Sequence, residues 1–262
     1  MSEQKDRHRR RRLLNLASFG AMLLVWIVLT ATGLVSPVFL PSPMALLKTL
    51  ASLSTSGYQG YSLGHHVMVS LERFGIAFLI TMLTAIPIGL LMGMNESMRG
   101  IMDPPIEITR PMPKLALIPL LIIWFGIGEI PKIVIIILGT FAILSISAMQ
   151  GVKGVSPRKI QAAYSLGASP WQVFRRVILP GALPEILTGI RQGVGVGVTM
   201  LVGAEMIATV DGVAFMAISA SDYLLTGVTL VGVLIMAILG YGLDSLVRLI
   251  EDRLVHWRGK EG

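Results

Sequence analysis

The chain has 262 residues, of which 53% are hydrophobic and only 14% are charged, and its mean hydropathy is +0.74. About 25% of the residues in a soluble domain are charged, so this composition excludes such a domain and indicates a protein dissolved in lipid. The absence of cysteine excludes disulfides, thiolate metal sites and cysteine nucleophiles. We expect one all-α, polytopic membrane domain with about six transmembrane helices of about 20 residues each.

A basic segment, residues 1–12, opens the chain and is followed by an apolar run over residues 13–35. A secretory signal peptide also begins with cations, but its apolar region is only about 7 to 15 residues long. We therefore interpret the run as the first span. The basic arm is then a cytoplasmic segment that holds the N-terminus inside, rather than an arm that binds nucleic acid.

A mostly polar connection covers residues 36–66. Ser42 and Pro43 have the pattern of a helix cap and a first helical position, which predicts a short amphipathic helix along the outer membrane surface. His65 and His66 are adjacent, so on a helix they cannot face one metal ion together. We interpret them as plain interface residues and expect no metal site.

The second span is predicted over residues 67–94, with Glu72 and Arg73 near its outer end. Charges at depth are costly unless they face protein or water, so this pair either lines a pathway through the membrane or lies at the membrane interface. Residues 95–114 contain four prolines that should break any regular helix: Pro104, Pro105, Pro111 and Pro113. The third span, 115–126, is too short alone, so it begins within that stretch or is irregular inside protein.

The rest of the membrane domain, which we bound at residues 13–250, follows the same alternation of apolar and polar segments. Its predicted elements are an outer turn at 126–131, a fourth span at 132–149, a fifth span at 183–210, an outer loop at 211–223, a sixth span at 224–247 and a cytoplasmic tail at 251–262. The fifth span is rich in small residues, which favour close helix packing.

The distribution of cations predicts the orientation of the chain. Most of the 22 lysines and arginines lie in four segments: the N-terminal arm, the connections between spans two and three and between spans four and five, and the tail. Such segments are usually cytoplasmic, so both termini and the connection between spans four and five should face the cytoplasm. The net charge of +7 then needs no nucleic acid as a partner.

The connection between spans four and five contains the polar, basic sequence QAAYSLGASPWQVFRRVILP at residues 161–180, which we call the insert. Gly167 lies where a first short helix would end, Ser169 can cap a second one, and Pro170 suits its first helical position. Each predicted helix has an apolar face. The pair should therefore pack on a partner.

No catalytic constellation is evident in the sequence. It lacks paired carboxylates at a useful spacing, the Gly-x-Ser-x-Gly and His-Glu-x-x-His motifs, and a phosphate-binding loop. We therefore expect no catalytic residue and no cofactor bound by this chain. A membrane bundle with a cytoplasmic helix pair suits a transporter driven by a docked motor. A secondary transporter is less favoured, because such proteins usually show internal repeats.

The insert resembles the EAA motif of bacterial ABC importer permeases, in which E-A-A is followed by three residues, G, nine residues, I, one residue and L-P. The spacing is met throughout, with Gln161 in place of Glu and Val177 in place of Ile. The resemblance implies that residues 155–180 are coupling helices on an ATPase. The residues expected at that contact are Gln161, Ala162, Ala163, Leu166, Gly167, Ala168, Val177, Leu179 and Pro180.

Residues 108–129 and 178–189 resemble the subfamily of these permeases that serves taurine, alkanesulfonates, nitrate and related anions. Residues 193–207 and the pair His256-Trp257 are most similar to taurine permeases. The resemblance implies a type I importer permease fold in the bacterial inner membrane. It also implies a second permease copy, a periplasmic binding protein, and a cytoplasmic ATPase dimer that carries ATP and Mg.

Arg191 is the cation deep in the predicted fifth span. Its exposure to lipid would be costly, so we expect it to face the pathway or a partner helix. It could attract a sulfonate, but a structural ion pair is favoured, with Glu205 as the candidate partner. The pathway candidates are thus Arg191, Glu205, Glu72 and Arg73.

Overall fold

The computed structural model describes the backbone of residues 2–207 and 209–255. It describes the side chains of these residues from Gly20 onward, together with those of Leu14, Ala17 and Ser18. His256-Trp257 and most of the predicted tail at 251–262 lie outside the described residues. In the described ranges the regular elements are helices, and no strand forms.

Eleven α-helices follow one another in the described part of the chain. They are α1 (Ser2–Ala31), α2 (Pro43–Ser56), α3 (Leu63–Met94), α4 (Glu96–Thr109), α5 (Ile118–Phe125), α6 (Glu129–Lys153), α7 (Pro157–Ser165), α8 (Pro170–Val173), α9 (Leu179–Glu205), α10 (Val213–Asp222) and α11 (Thr226–Leu254). A 3₁₀ turn, Lys114–Leu117, precedes α5, and a π-helical turn, Phe174–Ile178, joins α8 to α9.

Four helices of the described residues are long and apolar enough to cross a membrane: Leu63–Met94, Glu129–Lys153, Pro170–Glu205 and Thr226–Leu254. The pair Glu96–Thr109 and Lys114–Phe125, bent by 88°, makes a fifth if it is one broken span. The predicted first span falls in α1, whose apolar part among these residues, Gly20–Ala31, is too short to count. The structure thus supports four or five of the six expected spans.

The described chain divides into two compact units. One contains residues up to 64 together with 216–234. In this unit the Ser42 side chain caps α2, accepting the Ala45 N–H at 3.2 Å, and Pro43 takes the first helical position. The predicted amphipathic helix is therefore confirmed. The Tyr58 and Ser219 hydroxyls, 2.9 Å apart, join the end of α2 to α10.

The other unit contains residues 65–215 and the chain from 235 onward, and its core is the packing of α6 against α9. Gly189 and Gly193 on α9 lie so close to Ser147 and Leu144 on α6 that a Cβ on either glycine would collide with the facing side chain. The small residues of the fifth span therefore form a packing face, as the sequence predicts.

Helix α4 corrects the expectation that Pro104 and Pro105 break any regular helix, because both lie inside it. A proline removes one hydrogen bond to the carbonyl four residues earlier, here that of Gly100 or Ile101. The two prolines and these two residues are all exposed, so the two carbonyls that lose a helical hydrogen bond are not buried in the core. The regular helix instead ends before Pro111 and Pro113, where the 88° bend follows.

Helix α10 corrects the prediction of an outer loop at 211–223. The two acids of this segment flank its apolar part, since Asp211 lies just before the helix and Asp222 is its last residue, whereas the residues between them are apolar or small. Val213 and Met216 are fully buried. The acids that suggested a loop therefore mark the ends of a short buried helix.

Candidate functional site

The insert forms two helical segments around a tight turn, as its sequence predicts. Helix α7 ends at Ser165, and Gly167 has φ +81°, in the left-handed region that favours glycine. The Ala168 N–H bonds the Ala163 carbonyl at 3.1 Å, and the Gly167 N–H bonds the Tyr164 carbonyl at 2.9 Å. This pair of bonds is a Schellman motif, which satisfies the last carbonyls of α7.

A capping box starts the second segment. The Ser169 hydroxyl accepts the Gln172 N–H at 3.4 Å, and the Gln172 side-chain oxygen accepts the Ser169 N–H at 2.8 Å. Pro170 takes the first helical position. This segment is not a separate short helix, because the π turn carries it directly into α9. The π turn lies just before Pro180, which has no N–H to continue a regular helical bond.

The residues of the insert that are expected to contact an ATPase differ in how exposed they are to solvent. Gln161, Ala162, Leu166 and Gly167 are exposed, whereas Ala163, Ala168, Val177, Leu179 and Pro180 are half-buried. Three large apolar side chains also stand out from the insert: Leu166 is 87% exposed, Trp171 65% and Tyr164 49%. An exposed apolar patch of this kind marks an interaction surface.

The base of the insert is held firmly against the bundle. Val173 is fully buried, and Val155, just before α7, is buried beside Gly181 on α9. A Cβ on Gly181 would lie 2.8 Å from the Val155 side chain. A displacement of the insert should therefore be transmitted to α6 and α9 rather than absorbed at its base.

Arg73 on α3 lies at the centre of a buried ion network, and its side chain is only 3% exposed. The guanidinium donates to Glu129 at 2.6 and 2.8 Å, to Glu205 at 3.2 Å, to the Asp211 carboxylate at 2.6 Å and to Thr209 at 3.3 Å. It also donates to the Asp211 backbone carbonyl at 3.0 Å. The network joins α3, α6, α9 and the start of α10.

Glu205, which is fully buried, also caps helix α10. Its carboxylate accepts the Ser70 hydroxyl at 2.7 Å and the Ala214 N–H at 2.9 Å, and the Ser70 oxygen accepts the Val213 N–H at 2.9 Å. These backbone N–H groups belong to the first turn of α10 and have no partner within the helix. A carboxylate at this end also interacts favourably with the helix dipole.

Asp211, in the connection before α10, adds a second carboxylate to the network. Its partial burial raises the pKa, but hydrogen bonds from Arg73 and from His65, whose Nε2 lies 3.2 Å away, outweigh this and leave the pKa of Asp211 lowered. His66 is fully buried, and its Nδ1 accepts the Gly212 N–H at 3.1 Å. The expectation of a plain interface residue is therefore wrong for His66, which lies in the core, whereas the His65 side chain is 40% exposed and contacts Asp211.

Two of the four pathway candidates, Arg73 and Glu205, belong to this network, and Glu72 does not. The donors of Arg73 and the oxygens of Glu205 are bonded within the chain, so their geometry favours a structural role over contact with cargo. Glu72 is exposed and makes no ion pair within the described residues. The sequence could not show these partners, because they lie more than fifty residues from Arg73.

Arg191, the fourth pathway candidate, pairs with acids on α11. Its guanidinium lies 3.3 Å from Asp244 and 3.7 Å from Glu251. The suggested pairing with Glu205 is wrong, because the two residues are fourteen positions apart on one helix, or about 21 Å along its axis. Arg248 holds the same Asp244 at 2.6 Å.

Arg110 is not among the four pathway candidates, because the cations of its segment, residues 95–114, predict a cytoplasmic connection. The structure places Arg110 in the bend between α4 and α5, where it lines a cavity beside Gly139 and Ile143 of α6. The signal in the sequence was the proline-rich break itself, since irregular backbone at membrane depth occurs where it lines a cavity or lies in protein.

Across residues 2–207 and 209–255, no group of three or more His, Asp and Glu side chains could hold a metal ion.

The apolar helices, the broken span and the exposed insert define a polytopic helical membrane protein with an interaction surface between two spans. Residues 85–256 match the family of binding-protein-dependent transport system inner membrane components. The chain belongs to this family, and it is therefore a multi-pass inner-membrane transport permease.

Relatives and solved structures agree with this assignment. The taurine transport system permease protein TauC of Escherichia coli (strain K12) is 45% identical over 94% of this chain and 90% of that protein. SsuC of Bacillus subtilis (strain 168), an aliphatic sulfonates transport permease protein, is 35% identical over 91% of this chain and 85% of that protein. The resemblance to the taurine and alkanesulfonate permeases is confirmed.

The fold resembles that of two solved ABC transporters. The chain matches the MetNI methionine ABC transporter, in an inward-facing conformation, with a TM-score of 0.62 and 19% identity over 73% of this chain and 95% of that one. It matches an amino acid ABC transporter with a TM-score of 0.60 and 21% identity over 79% of this chain and 96% of that one. The predicted type I importer permease fold is confirmed.

Proposed function

We propose that the chain is the permease subunit of an ATP-driven importer for taurine or a related sulfonate. A periplasmic binding protein delivers the sulfonate, and this chain forms the pathway through the membrane. The similarity to a taurine permease and to an aliphatic sulfonates permease supports this cargo. Another alkanesulfonate, nitrate or bicarbonate is the alternative cargo for the same role.

The observation that carries the proposal is the geometry of the insert. It presents Leu166 and Trp171 at a turn that no other described part of the chain covers, while Val173 fixes its base. A cytoplasmic ATPase dimer, which binds ATP and Mg, docks on this surface. The resemblance to the EAA motif at Gln161 and Gly167 supports the same partner.

The transport cycle follows from this docking. Closure of the ATPase dimer on ATP moves the inserts of two permease copies together. Because the insert continues without a break into α9, and α9 packs along α6, this displacement rocks the bundle between inward-facing and outward-facing states. The second permease copy is identical to this chain. Each copy contributes one insert, and each insert docks on one subunit of the ATPase dimer.

The orientation of the chain can be tested directly, because it contains no cysteine. A single cysteine at Arg158, beside the insert, should react with a membrane-impermeant maleimide only in inverted vesicles. A single cysteine at Gln59, between α2 and α3, should react from the periplasmic side of whole cells. The reverse labelling pattern would overturn the proposal that the insert and the termini are cytoplasmic.

The cargo is tested with the complex of this chain, its ATPase and its binding protein in proteoliposomes. We expect taurine or a short alkanesulfonate to stimulate ATP hydrolysis and to be accumulated, whereas nitrate and bicarbonate leave hydrolysis at its basal rate. Stimulation by nitrate or bicarbonate alone would select the alternative cargo. Accumulation that needs neither ATP nor the ATPase would contradict the proposed function and indicate a secondary transporter.

A further inference from the structure

A cavity of about 590 Å³ lies beside α6 in the larger unit of the chain. Its lining includes Arg110, Met112, Leu115, Gly139, Ile143 and Met200. This volume is within the usual range for small-molecule sites, about 300 to 1,000 Å³.

The cavity lies near the middle of the membrane-spanning part of the bundle. Gly139 and Ile143 are each ten residues from an end of α6, so each lies about 15 Å along the helix from that end. The hydrocarbon core of a bilayer is about 30 Å thick. Residues beside them, including Arg110, are therefore at mid-depth rather than in a cytoplasmic loop.

Two cations line this cavity, and they differ in what holds them. The Lys114 ammonium donates to the backbone carbonyls of Thr109 at 3.0 Å and Arg110 at 3.1 Å, which ties the bend between α4 and α5. The Arg110 guanidinium has no ion pair or side-chain hydrogen bond among the described residues. No carboxylate lines the cavity in this part of the chain. A charge at this depth is costly without a counter-ion and marks a functional site.

We propose that this cavity is a transient binding site for the sulfonate during translocation, and that Arg110 binds the sulfonate oxygens. A guanidinium presents a planar fork of N–H donors that can hold two oxygens of one anion. The apolar wall formed by Met112, Leu115 and Ile143 contacts the carbon chain. The proposal rests on the proposed function, since it concerns the pathway of that same cargo.

The absence of a lining carboxylate in the described chain has a consequence for selectivity. The site holds the anionic end and the carbon chain, but it offers no counter-ion to the ammonium of taurine. Ethanesulfonate, which lacks that ammonium, should therefore occupy this site as well as taurine does. Discrimination in favour of the amine then belongs to the binding protein.

Arg110→Gln tests the role of the guanidinium in the reconstituted complex. We expect the maximal rate of taurine uptake to fall by about tenfold or more, which corresponds to at least about 1.4 kcal/mol, while KM stays near its wild-type value because the binding protein sets it. Arg110→Lys should recover part of the rate. The ATPase should co-purify with both variants as it does with the wild-type chain, which shows that the complex is assembled.

Arg99→Gln is the matched control. Arg99 is an exposed arginine on α4 that pairs with Asp103 at 2.9 Å and does not line the cavity. Its loss should leave uptake within about twofold of wild type, as expected for an exposed ion pair. Equal uptake by wild type and Arg110→Gln, or an equal loss in the two glutamine variants, would overturn the site at Arg110.

A measurement on the wild-type chain does not depend on any variant. Radiolabelled taurine should bind the purified complex of permease and ATPase without the binding protein, and unlabelled ethanesulfonate should compete at a similar concentration. Failure of ethanesulfonate to compete would overturn the proposed site. If the wild-type complex transports neither taurine nor any alkanesulfonate, the proposed function itself is wrong. Sulfonate uptake that is indifferent to Arg110 contradicts the further inference alone.

Discussion

Replacing Gly167 with aspartate should abolish taurine uptake while leaving the protein in the membrane. Gly167 has φ +81°, and a Cβ there would meet no heavy atom of the described chain within 4 Å. Aspartate tolerates the left-handed region better than most residues, so the fold should survive. On the surface proposed to dock the ATPase, however, the new carboxylate would lose water without gaining a partner.

The size of this effect follows from the cost of an unpaired charge in an interface. That cost is on the order of 3 kcal/mol, which lowers the affinity for the ATPase by about 100-fold. The ATPase should no longer co-purify with the Gly167→Asp variant, and uptake should fall to background. Normal uptake by the variant would contradict the assignment of the insert as the coupling helices.

Gly60→Asp is the matched control for this substitution. Gly60 lies in the turn between α2 and α3 with φ +86°, and a Cβ there also meets nothing within 4 Å. The two variants thus introduce the same charge at nearly the same φ, at different places in the chain. The ATPase should still co-purify with Gly60→Asp. If both variants lose it, the effect is on folding rather than on docking.

The sequence predicts the insert well because its structure is set by local chemistry. Glycine at 167 supplies the left-handed turn, Ser169 supplies the cap and Pro170 supplies the first helical position, all within four residues. The same holds for Ser42 and Pro43 at the start of α2. The family resemblance adds the partner, which local chemistry alone leaves open.

Long-range contacts are what the sequence leaves undetermined. Arg73 meets Glu129, Glu205 and Asp211 only after four helices have packed, so no spacing rule could pair them. The cations of residues 95–114 predict a cytoplasmic connection, but charge distribution orients whole segments and does not show that one side chain, Arg110, lines a cavity. Helix α10 was missed for a related reason, since its first turn is capped by Glu205 and Ser70 from other helices.

Arg73→Gln should cause the largest loss of stability among single substitutions in the ion network. It leaves Glu205, which is fully buried, without its positive partner. Removing one member of a buried ion pair costs about 3 to 5 kcal/mol. The other two carboxylates, Glu129 and Asp211, are 54% and 19% exposed, so water can compensate them in part. The variant should accumulate poorly and should lose its gel-filtration peak at a lower temperature than wild type.

Two further variants identify the cause of this loss. Arg191→Gln removes a guanidinium that is 38% exposed and lies 3.3 and 3.7 Å from its acids, so it should cost less than about 1 kcal/mol and leave the KM for uptake unchanged. Arg73→Gln combined with Glu205→Gln removes the uncompensated charge and should recover part of the lost stability. If the double variant is no more stable than Arg73→Gln, the buried carboxylate is not the source of the loss. Wild-type stability of Arg73→Gln would show that the network does not hold α3, α6, α9 and α10 together.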